Sequence, residues 1–197
     1  MKLIVLIFIS QFSFAITELS GNFGYDRQVF GSDRQNKLTS TNYGGNIAFY
    51  FWGLTALEFN YYQNNETIED NDRRQLDTNF AVLQQKDRVL SEVFGIGIRQ
   101  AFASRKAFLQ PVISIGYAKQ FVNNSVEYTT DESGVIGTEK FQVEKSRQDS
   151  VFATFSVRIK ITKSLTLNGS VRTVFKYDEM DEARDNVKYL AGFSWFL

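Results

Sequence analysis

The sequence contains no cysteine and no histidine, and its only proline is Pro111. Without cysteine the chain can form neither a disulfide nor a reactive thiolate. Without histidine it lacks the usual base of Ser–His and Cys–His nucleophile pairs, and the commonest protein ligand for metals. Basic and acidic residues number 22 each, so the net charge gives no reason to expect nucleic acid. We therefore expect a non-enzymatic protein with no catalytic residues, no cofactor and no metal.

Long hydrophobic runs are also missing, since a membrane-spanning helix needs about 20 apolar residues. The one compact apolar run lies at the N-terminus, from Leu3 to Ile9, where it follows Lys2 and precedes Ser13-Phe14-Ala15. A charged residue, a short apolar stretch and a small residue at the cleavage point are typical of a secretory signal peptide. Residues 1–15 are thus predicted to be a signal peptide, and residues 16–197 to form one exported domain.

What the chain has instead is alternation of apolar and polar residues, which predicts half-buried β-strands. The clearest case is the last segment, where every second residue from Tyr189 to Leu197 is apolar or small. An amphipathic strand at this position needs a neighbour on both edges, which favours a closed barrel. Eight such segments occur: about 17–30, 41–52, 55–63, 88–102, 107–121, 149–161, 165–176 and 186–197.

The connections between these segments differ in length. Three are tight, near residues 52–54, 103–106 and 162–164, and four are long and polar, at about 31–40, 64–87, 122–148 and 177–185. Outer-membrane barrels have short turns at one end and long loops at the other. The loop at 122–148 could be irregular, or it could extend the fifth and sixth strands as a hairpin that binds partners by strand addition. A ten-stranded variant that uses pieces of 76–86 and 125–145 also stays open.

Aromatic residues sort by height if the strands run alternately up and down. An aromatic ring at each membrane interface is typical of transmembrane barrels, because these side chains prefer the headgroup level. The predicted girdle comprises Tyr25, Tyr43, Tyr61, Tyr117 and Tyr189 at the long-loop end, and Phe51, Trp52, Phe102 and Trp195 at the tight-turn end.

The chain resembles the small eight-stranded bacterial outer-membrane β-barrels of the OmpX, OmpW and OmpA-transmembrane-domain type. The resemblance rests on these patterns, on the segment Leu109–Tyr117 and on the terminal run Tyr189–Leu197. The resemblance implies an all-β fold, a single closed antiparallel up-and-down transmembrane barrel with short periplasmic turns and long extracellular loops. It further implies a monomer in the bacterial outer membrane, surrounded by lipid and lipopolysaccharide. Members of this family usually end in an aromatic residue, whereas this chain ends in Leu197. A soluble barrel with its apolar face inward is the alternative.

The resemblance also implies contact with the barrel-assembly machinery, which reads the last strand. The corresponding insertion signal here is Tyr189, Ala191, Phe193, Trp195 and Leu197. The enzymes known among small outer-membrane barrels rely on a catalytic histidine, which is missing from this sequence.

Charged residues on the polar face predict a plug inside the barrel. Glu58, Arg99 and Arg158 fall at similar heights on their strands, and Arg172 falls above them. Buried charges must be paired and hydrogen-bonded, so we expect these four to form a polar cluster in the lumen. A separate acidic group could bind Ca²⁺ through its carboxylates, or could simply be a solvated loop: Glu66, Glu69, Asp70 and Asp72.

The predicted function is that of a barrel that presents surface loops for adhesion, envelope integrity or defence. Its loops at 64–87 and 122–148 would meet a host or surface protein. The alternative, suggested by resemblance to OmpW-like barrels, is a conduit or binder for small hydrophobic compounds. Apolar residues at inward positions of the upper half, Phe152, Val174 and Leu190, are compatible with that alternative.

Overall fold

The computed structural model describes residues 16–31, 33–176 and 186–197. The predicted signal peptide and the loop at 177–185 lie outside the described residues. Within the described ranges, the chain consists of strands and the turns that join them. No helix among these residues is long and apolar enough to cross a membrane.

The strands form one antiparallel sheet whose ends meet, because β1 pairs with β10 and β5 pairs with β6. The closed ring passes through eight strands, which confirms the predicted up-and-down barrel. The strands are β1 (Ile16–Phe30), β2 (Asn36–Trp52), β3 (Thr55–Asp70), β4 (Arg74–Asp77), β5 (Phe80–Ala101), β6 (Leu109–Glu132), β7 (Val135–Gln142), β8 (Ser146–Lys160), β9 (Leu165–Lys176) and β10 (Lys188–Phe196).

The two remaining strands lie outside the ring. In the described part of the chain, β4 pairs only with β5 and β7 pairs only with β6. The predicted loop at 64–87 is therefore mostly strand. At 122–148, where the sequence left an irregular loop and a hairpin open, the structure has the hairpin, since β7 pairs back on the extended β6. β3 continues to Asp70 and β6 continues to Glu132, well beyond the segments that alternate. The physical reason is that both faces of these extensions meet water, so backbone pairing continues there without any apolar pattern.

The direction of the two faces decides between a membrane barrel and a soluble one. Phe155, Ile159 and Trp195 are exposed on the outside, whereas Arg158 and Arg172 are only 2% and 4% exposed. The interior is filled mainly by polar side chains of the opposite parity, such as Asn, Ser, Glu and Arg. This arrangement is the reverse of a soluble protein, and it leaves an apolar band around the outside of the ring.

An apolar cluster occupies the upper half of the lumen around Phe152, which is fully buried. Gly97 and Gly116 face each other on β5 and β6 and leave the space that this ring needs. A Cβ atom on Gly116 would lie 2.4 Å from the Cα of Gly97 and 2.7 Å from Cε1 of Phe152. The other members of the cluster are Tyr62, Val93, Ala118, Val174 and Leu190.

Candidate functional site

The lower lumen contains a buried charge network with Arg99 at its centre. The Arg99 guanidinium donates from Nε to Glu58 Oε2 at 2.8 Å, from Nη1 to Glu18 Oε1 at 3.0 Å, and from Nη2 to Asn46 Oδ1 at 2.8 Å. These residues come from β5, β3, β1 and β2, which are four consecutive strands of the ring. All four side chains are buried, and their attraction is therefore much less screened than that of a surface pair.

Arg158 joins the same network from β8. Its Nη2 lies 2.7 Å from Glu18 Oε1, and its Nη1 donates to the hydroxyl of Tyr50 at 3.0 Å and to Oε1 of Gln110 at 3.2 Å. Tyr50 in turn donates to Glu18 Oε2 at 2.7 Å. Glu18 is thus a carboxylate shared by two arginines, and it links the predicted residues Glu58, Arg99 and Arg158 into one group.

Sequence reasoning missed Glu18 and Tyr50, although the alternation could have located both. Glu18 lies two residues before Ser20 and so shares the inward face of β1. Tyr50 lies between Phe49 and Phe51, both of which point outward. Tyr50 is therefore an inward aromatic residue of β2 that does not belong to the predicted girdle.

Arg172 lies in the lumen above this network and is linked to it through Asn60, whose Nδ2 donates to Glu58 Oε1 at 3.3 Å. Nη2 of Arg172 donates to Asn60 Oδ1 at 3.0 Å, and its guanidinium carbon lies 3.9 Å from the ring centre of Tyr62 and 4.8 Å from that of Phe152. Both distances are within the range of cation–π attraction. Among the described residues, no carboxylate forms an ion pair with Arg172. Of the four predicted residues, Glu58, Arg99 and Arg158 are joined through direct ion pairs with Glu18 or each other, whereas Arg172 reaches Glu58 only through Asn60.

The predicted girdle residues lie near the two ends of the barrel wall. Tyr61 is partly buried because it packs on Phe94, with ring centres 4.9 Å apart. The other eight are exposed on the outer surface: Tyr25, Tyr43, Tyr117 and Tyr189 towards the long-loop end, and Phe51, Trp52, Phe102 and Trp195 towards the tight-turn end. Their role at a lipid interface stays a prediction.

The predicted insertion signal follows the outer face of β10. Trp195 pairs with Leu19 of β1 and Leu165 of β9, so the strand is held on both edges. Leu197 follows the end of β10, and its backbone N–H donates to the carbonyl of Thr17 at 2.8 Å. Tyr189, Ala191 and Phe193 share the parity of Trp195. Their recognition during assembly stays a prediction.

Several strands extend beyond the outward tyrosines at the long-loop end of the barrel. We call this extension the upper sheet, and it is formed by residues 64–70, 80–91 and 123–132 together with β4 and β7. Of the acidic group considered for Ca²⁺, Glu66, Glu69 and Asp70 are paired with cations, and Asp72 accepts hydrogen bonds from the amides of Gln35 and Asn36. Lys86 Nζ lies 2.6 Å from Glu69, with Lys37 at 3.8 Å, and Asp70 pairs with Arg74. The hydrogen bond from Lys86 holds the pKa of Glu69 below its ordinary value. The described residues contain no cluster arranged to hold a metal ion, and the pairing favours the solvated-loop interpretation over a Ca²⁺ site.

The outer edge of the upper sheet is β7, all eight residues of which are exposed. Val143, just after β7, donates its backbone N–H to the carbonyl of Asn124 on β6 at 2.9 Å. Because such bonds alternate along an antiparallel pair, the odd-numbered residues of β7 bond to β6. The even-numbered residues, including Ile136 and Thr138, then direct their backbone groups to the free side.

Comparisons with known proteins give the fold alone. No protein-family model and no curated protein matches the sequence. Among solved structures, the outer membrane protein OprG from Pseudomonas aeruginosa is similar, with a TM-score of 0.57 and 11% identity over 93% of this chain and 96% of that one. The N-terminal β-barrel domain of Pseudomonas aeruginosa OprF gives a TM-score of 0.50 and 13% identity over 92% and 97%. The chain has the fold of the small eight-stranded outer-membrane barrels.

Proposed function

We propose that this chain is a non-enzymatic barrel of the bacterial outer membrane that anchors the upper sheet at the cell surface. The sheet would bind an extended segment of a partner protein along the edge of β7. The observation that carries the proposal is the pairing of β7, which within the described residues has β6 on one side and no strand on the other.

The membrane location rests on closure and on the outward apolar band. Unpaired backbone groups in hydrocarbon cost several kcal/mol each, so a sheet can span a bilayer only when its ends join. The ring of eight strands meets that condition, and the predicted signal peptide would direct the chain to export. Lipid and lipopolysaccharide around the band, and the assembly machinery acting on β10, are the partners that this location implies.

An anchor role is supported by the contents of the lumen. Eight strands enclose an interior that side chains can fill. Here the side chains of the Arg99 network lie in the lower half, and the cluster around Phe152 lies in the upper half. A barrel with both halves occupied by packed side chains is better suited to hold a surface structure than to conduct a solute.

The chemistry of β7 describes the partner. Residues on successive positions of a strand point to opposite faces, so Glu139 and Lys140 lie on different sides of the upper sheet. An added strand that is basic beside Glu139 and acidic beside Lys140 would complement both charges. Exposed apolar side chains at the start of β7, Val135 and Ile136, would be covered by apolar residues of the same segment.

Proline substitutions on β7 test strand addition directly. Thr138→Pro removes a backbone N–H that points to the free edge, and proline is tolerated at such positions on edge strands. Decapeptides selected from a phage-displayed library on the folded barrel in micelles should bind the wild type and Thr138→Ala. They should lose at least tenfold in affinity for Thr138→Pro.

The matched variant is Gly137→Pro, which removes an N–H that bonds to β6. It should loosen the β6–β7 pair itself, detected as faster hydrogen exchange at β6 amides, whereas Thr138→Pro should leave those amides protected. Selected peptides that bind Thr138→Pro as well as the wild type would show that the edge of β7 is not the binding site.

The conduit alternative is favoured by the apolar upper lumen alone. Tyr62, Val93 and Leu190 form its wall around Phe152. Uptake of a small hydrophobic dye into liposomes that contain the purified barrel separates the two functions. Uptake well above that of empty liposomes would support the conduit and contradict the anchor.

A further inference from the structure

The tight-turn end of the barrel carries charge of one sign. The charged side chains that reach its surface are all cations: Arg105, Lys106, Lys160 and Lys163. The described segments that form this end contain no Asp or Glu: 16–17, 51–57, 100–109, 159–166 and 193–197. Glu18 and Glu58, the next carboxylates along β1 and β3, are buried in the lumen, where Arg99 pairs with both. The upper sheet differs, because several of its cations pair with carboxylates.

The protein does not neutralise these four cations. The ion pairs between described residues involve other lysines and arginines. Arg105 Nη2 donates to the carbonyl of Gly53 at 3.4 Å, and Lys160 Nζ donates to the carbonyl of Arg105 at 3.3 Å. Carbonyl oxygens accept these hydrogen bonds without removing the charge. Lys106 and Lys163 are exposed in their turns. The end of the barrel therefore presents a positive potential to its surroundings.

The height of the two exposed lysines follows from their neighbours in the chain. Lys106 lies three residues before Leu109, and Lys163 lies two residues after Ile161. Leu109 and Ile161 are both exposed on the outer, apolar face. At about 3.3 Å per residue, the lysines lie at most about 10 Å and 7 Å beyond that face. These distances are comparable with the Debye length of about 10 Å at 0.1 M salt, so charges at the edge of a bilayer would act on both lysines.

We propose that the tight-turn end binds the headgroups of anionic phospholipids, with Lys106 and Lys163 contacting the lipid phosphates. Arg105 and Lys160 add to the positive potential. The proposal rests on the membrane location proposed above, because it needs headgroups around this end of the barrel. Anionic membrane surfaces attract Lys and Arg residues that lie near them. A soluble acidic protein would also complement the charge, but headgroups are the anions next to the apolar face that flanks these lysines.

Tryptophan quenching tests the preference for anionic lipid. Trp52 and Trp195 are the two tryptophans of the chain, and both are exposed at the tight-turn end, so they report on lipid there. The full chain is reconstituted into bilayers of three parts phosphatidylcholine and one part phosphatidylglycerol. In one sample the phosphatidylglycerol is brominated in its acyl chains, and in the other an equal amount of phosphatidylcholine is. At low salt, brominated phosphatidylglycerol should quench more strongly, with a relative association constant of at least about threefold.

High salt should remove most of this preference, because the Debye length falls to about 3 Å at 1 M. The double variant Lys106→Gln, Lys163→Gln should lose at least half of the preference at low salt. Its matched control, Arg88→Gln with Lys145→Gln, removes two exposed cations of the long-loop end and should quench as the wild type does.

Two results would contradict different parts of the account. Equal quenching by the two brominated lipids in the wild type would overturn the proposal and leave a soluble acidic partner as the ligand of this end. An unchanged preference in the Lys106, Lys163 double variant would overturn it as well. In both cases the quenching itself would still support the membrane location. No quenching by either lipid would contradict that location.

Discussion

The lower lumen and the upper sheet contain the same kinds of ion pair in opposite surroundings. In the lumen, the side chains of Arg99 and Glu18 are 5% and 0% exposed, whereas Lys86 and Glu69 in the upper sheet are 25% and 24% exposed. Buried pairs are weakly screened, and each leaves a costly charge if its partner is removed. Partly exposed pairs are screened by water and contribute little. The contribution of an ion pair to stability therefore depends on how deeply it is buried, and contact distance alone does not predict it.

The largest difference between the two regions should appear on removal of Arg99. Arg99→Met leaves Glu58 without its cation and Glu18 with only Arg158, so it should destabilise the barrel by about 3–5 kcal/mol. Equilibrium urea unfolding in micelles measures this. The control is Arg88→Met on the same strand, at an exposed position, which should cost less than about 1 kcal/mol. Similar costs for the two variants would contradict the comparison.

A finer comparison lies within the network itself. Glu18→Gln removes a carboxylate shared by two arginines, whereas Glu58→Gln removes one that accepts from a single arginine, Arg99, and from the amide of Asn60. Charged hydrogen bonds are each worth about 1.5–3 kcal/mol, so Glu18→Gln should destabilise the barrel more than Glu58→Gln. The urea midpoints of the two variants give the order, and the reverse order would show that Glu18 is not the bridging group.

Backbone strain in the upper sheet should have a smaller, local effect. Gly134, in the turn between β6 and β7, has φ of 87°, a region that side chains disfavour. Gly134→Ala should loosen the hairpin by about 1–2 kcal/mol, seen as faster hydrogen exchange in β7 with unchanged exchange in β9. Gly137→Ala is the control, because its Cβ would meet only Thr130 Oγ1 at 3.7 Å. Equal effects of the two alanines would argue against strain at the turn.

The smallest effect should come from Lys86. Lys86→Met removes a partly exposed ion pair and should cost less than about 1 kcal/mol at pH 7. Because the pKa of Glu69 is lowered in the folded state, the contribution of the pair is present above the ordinary pKa near 4.3 and is lost as the pH falls through the folded value. The urea midpoints of wild type and variant should therefore converge as the pH falls below that ordinary value. If the difference between the two urea midpoints instead grew as the pH fell, the pKa of Glu69 would not be lowered in the folded state.

The sequence allows the ring to be predicted because each of its strands lies between two different environments. Phe155 and Arg158 differ in parity, and the structure places them outside and inside as the alternation requires. The upper sheet could not be predicted in the same way. Residues such as Thr67 and Arg88 pair across β3 and β5 with water on both sides, so backbone hydrogen bonds hold them in register without a pattern of side chains.

The charge network could be predicted only in part. Strand height follows from counting residues, which places Glu58, Arg99 and Arg158 at similar levels. Which partner a side chain reaches across the lumen depends on its rotamer and on the stagger between strands. Neither can be obtained by counting residues. For that reason the sequence could not show that Arg172 lies on the rings of Tyr62 and Phe152 and reaches Glu58 only through Asn60.

Trp195 offers the most direct test of the central claim, that the apolar face meets lipid while the charged face fills the barrel. In Trp52→Phe, Trp195 is the only tryptophan, and it lies exposed on the outside of β10. After reconstitution into bilayers, its fluorescence should be quenched by lipids with brominated acyl chains, more strongly by shallow than by deep bromines, and little by aqueous iodide. Strong quenching by iodide with none from brominated chains would contradict the account.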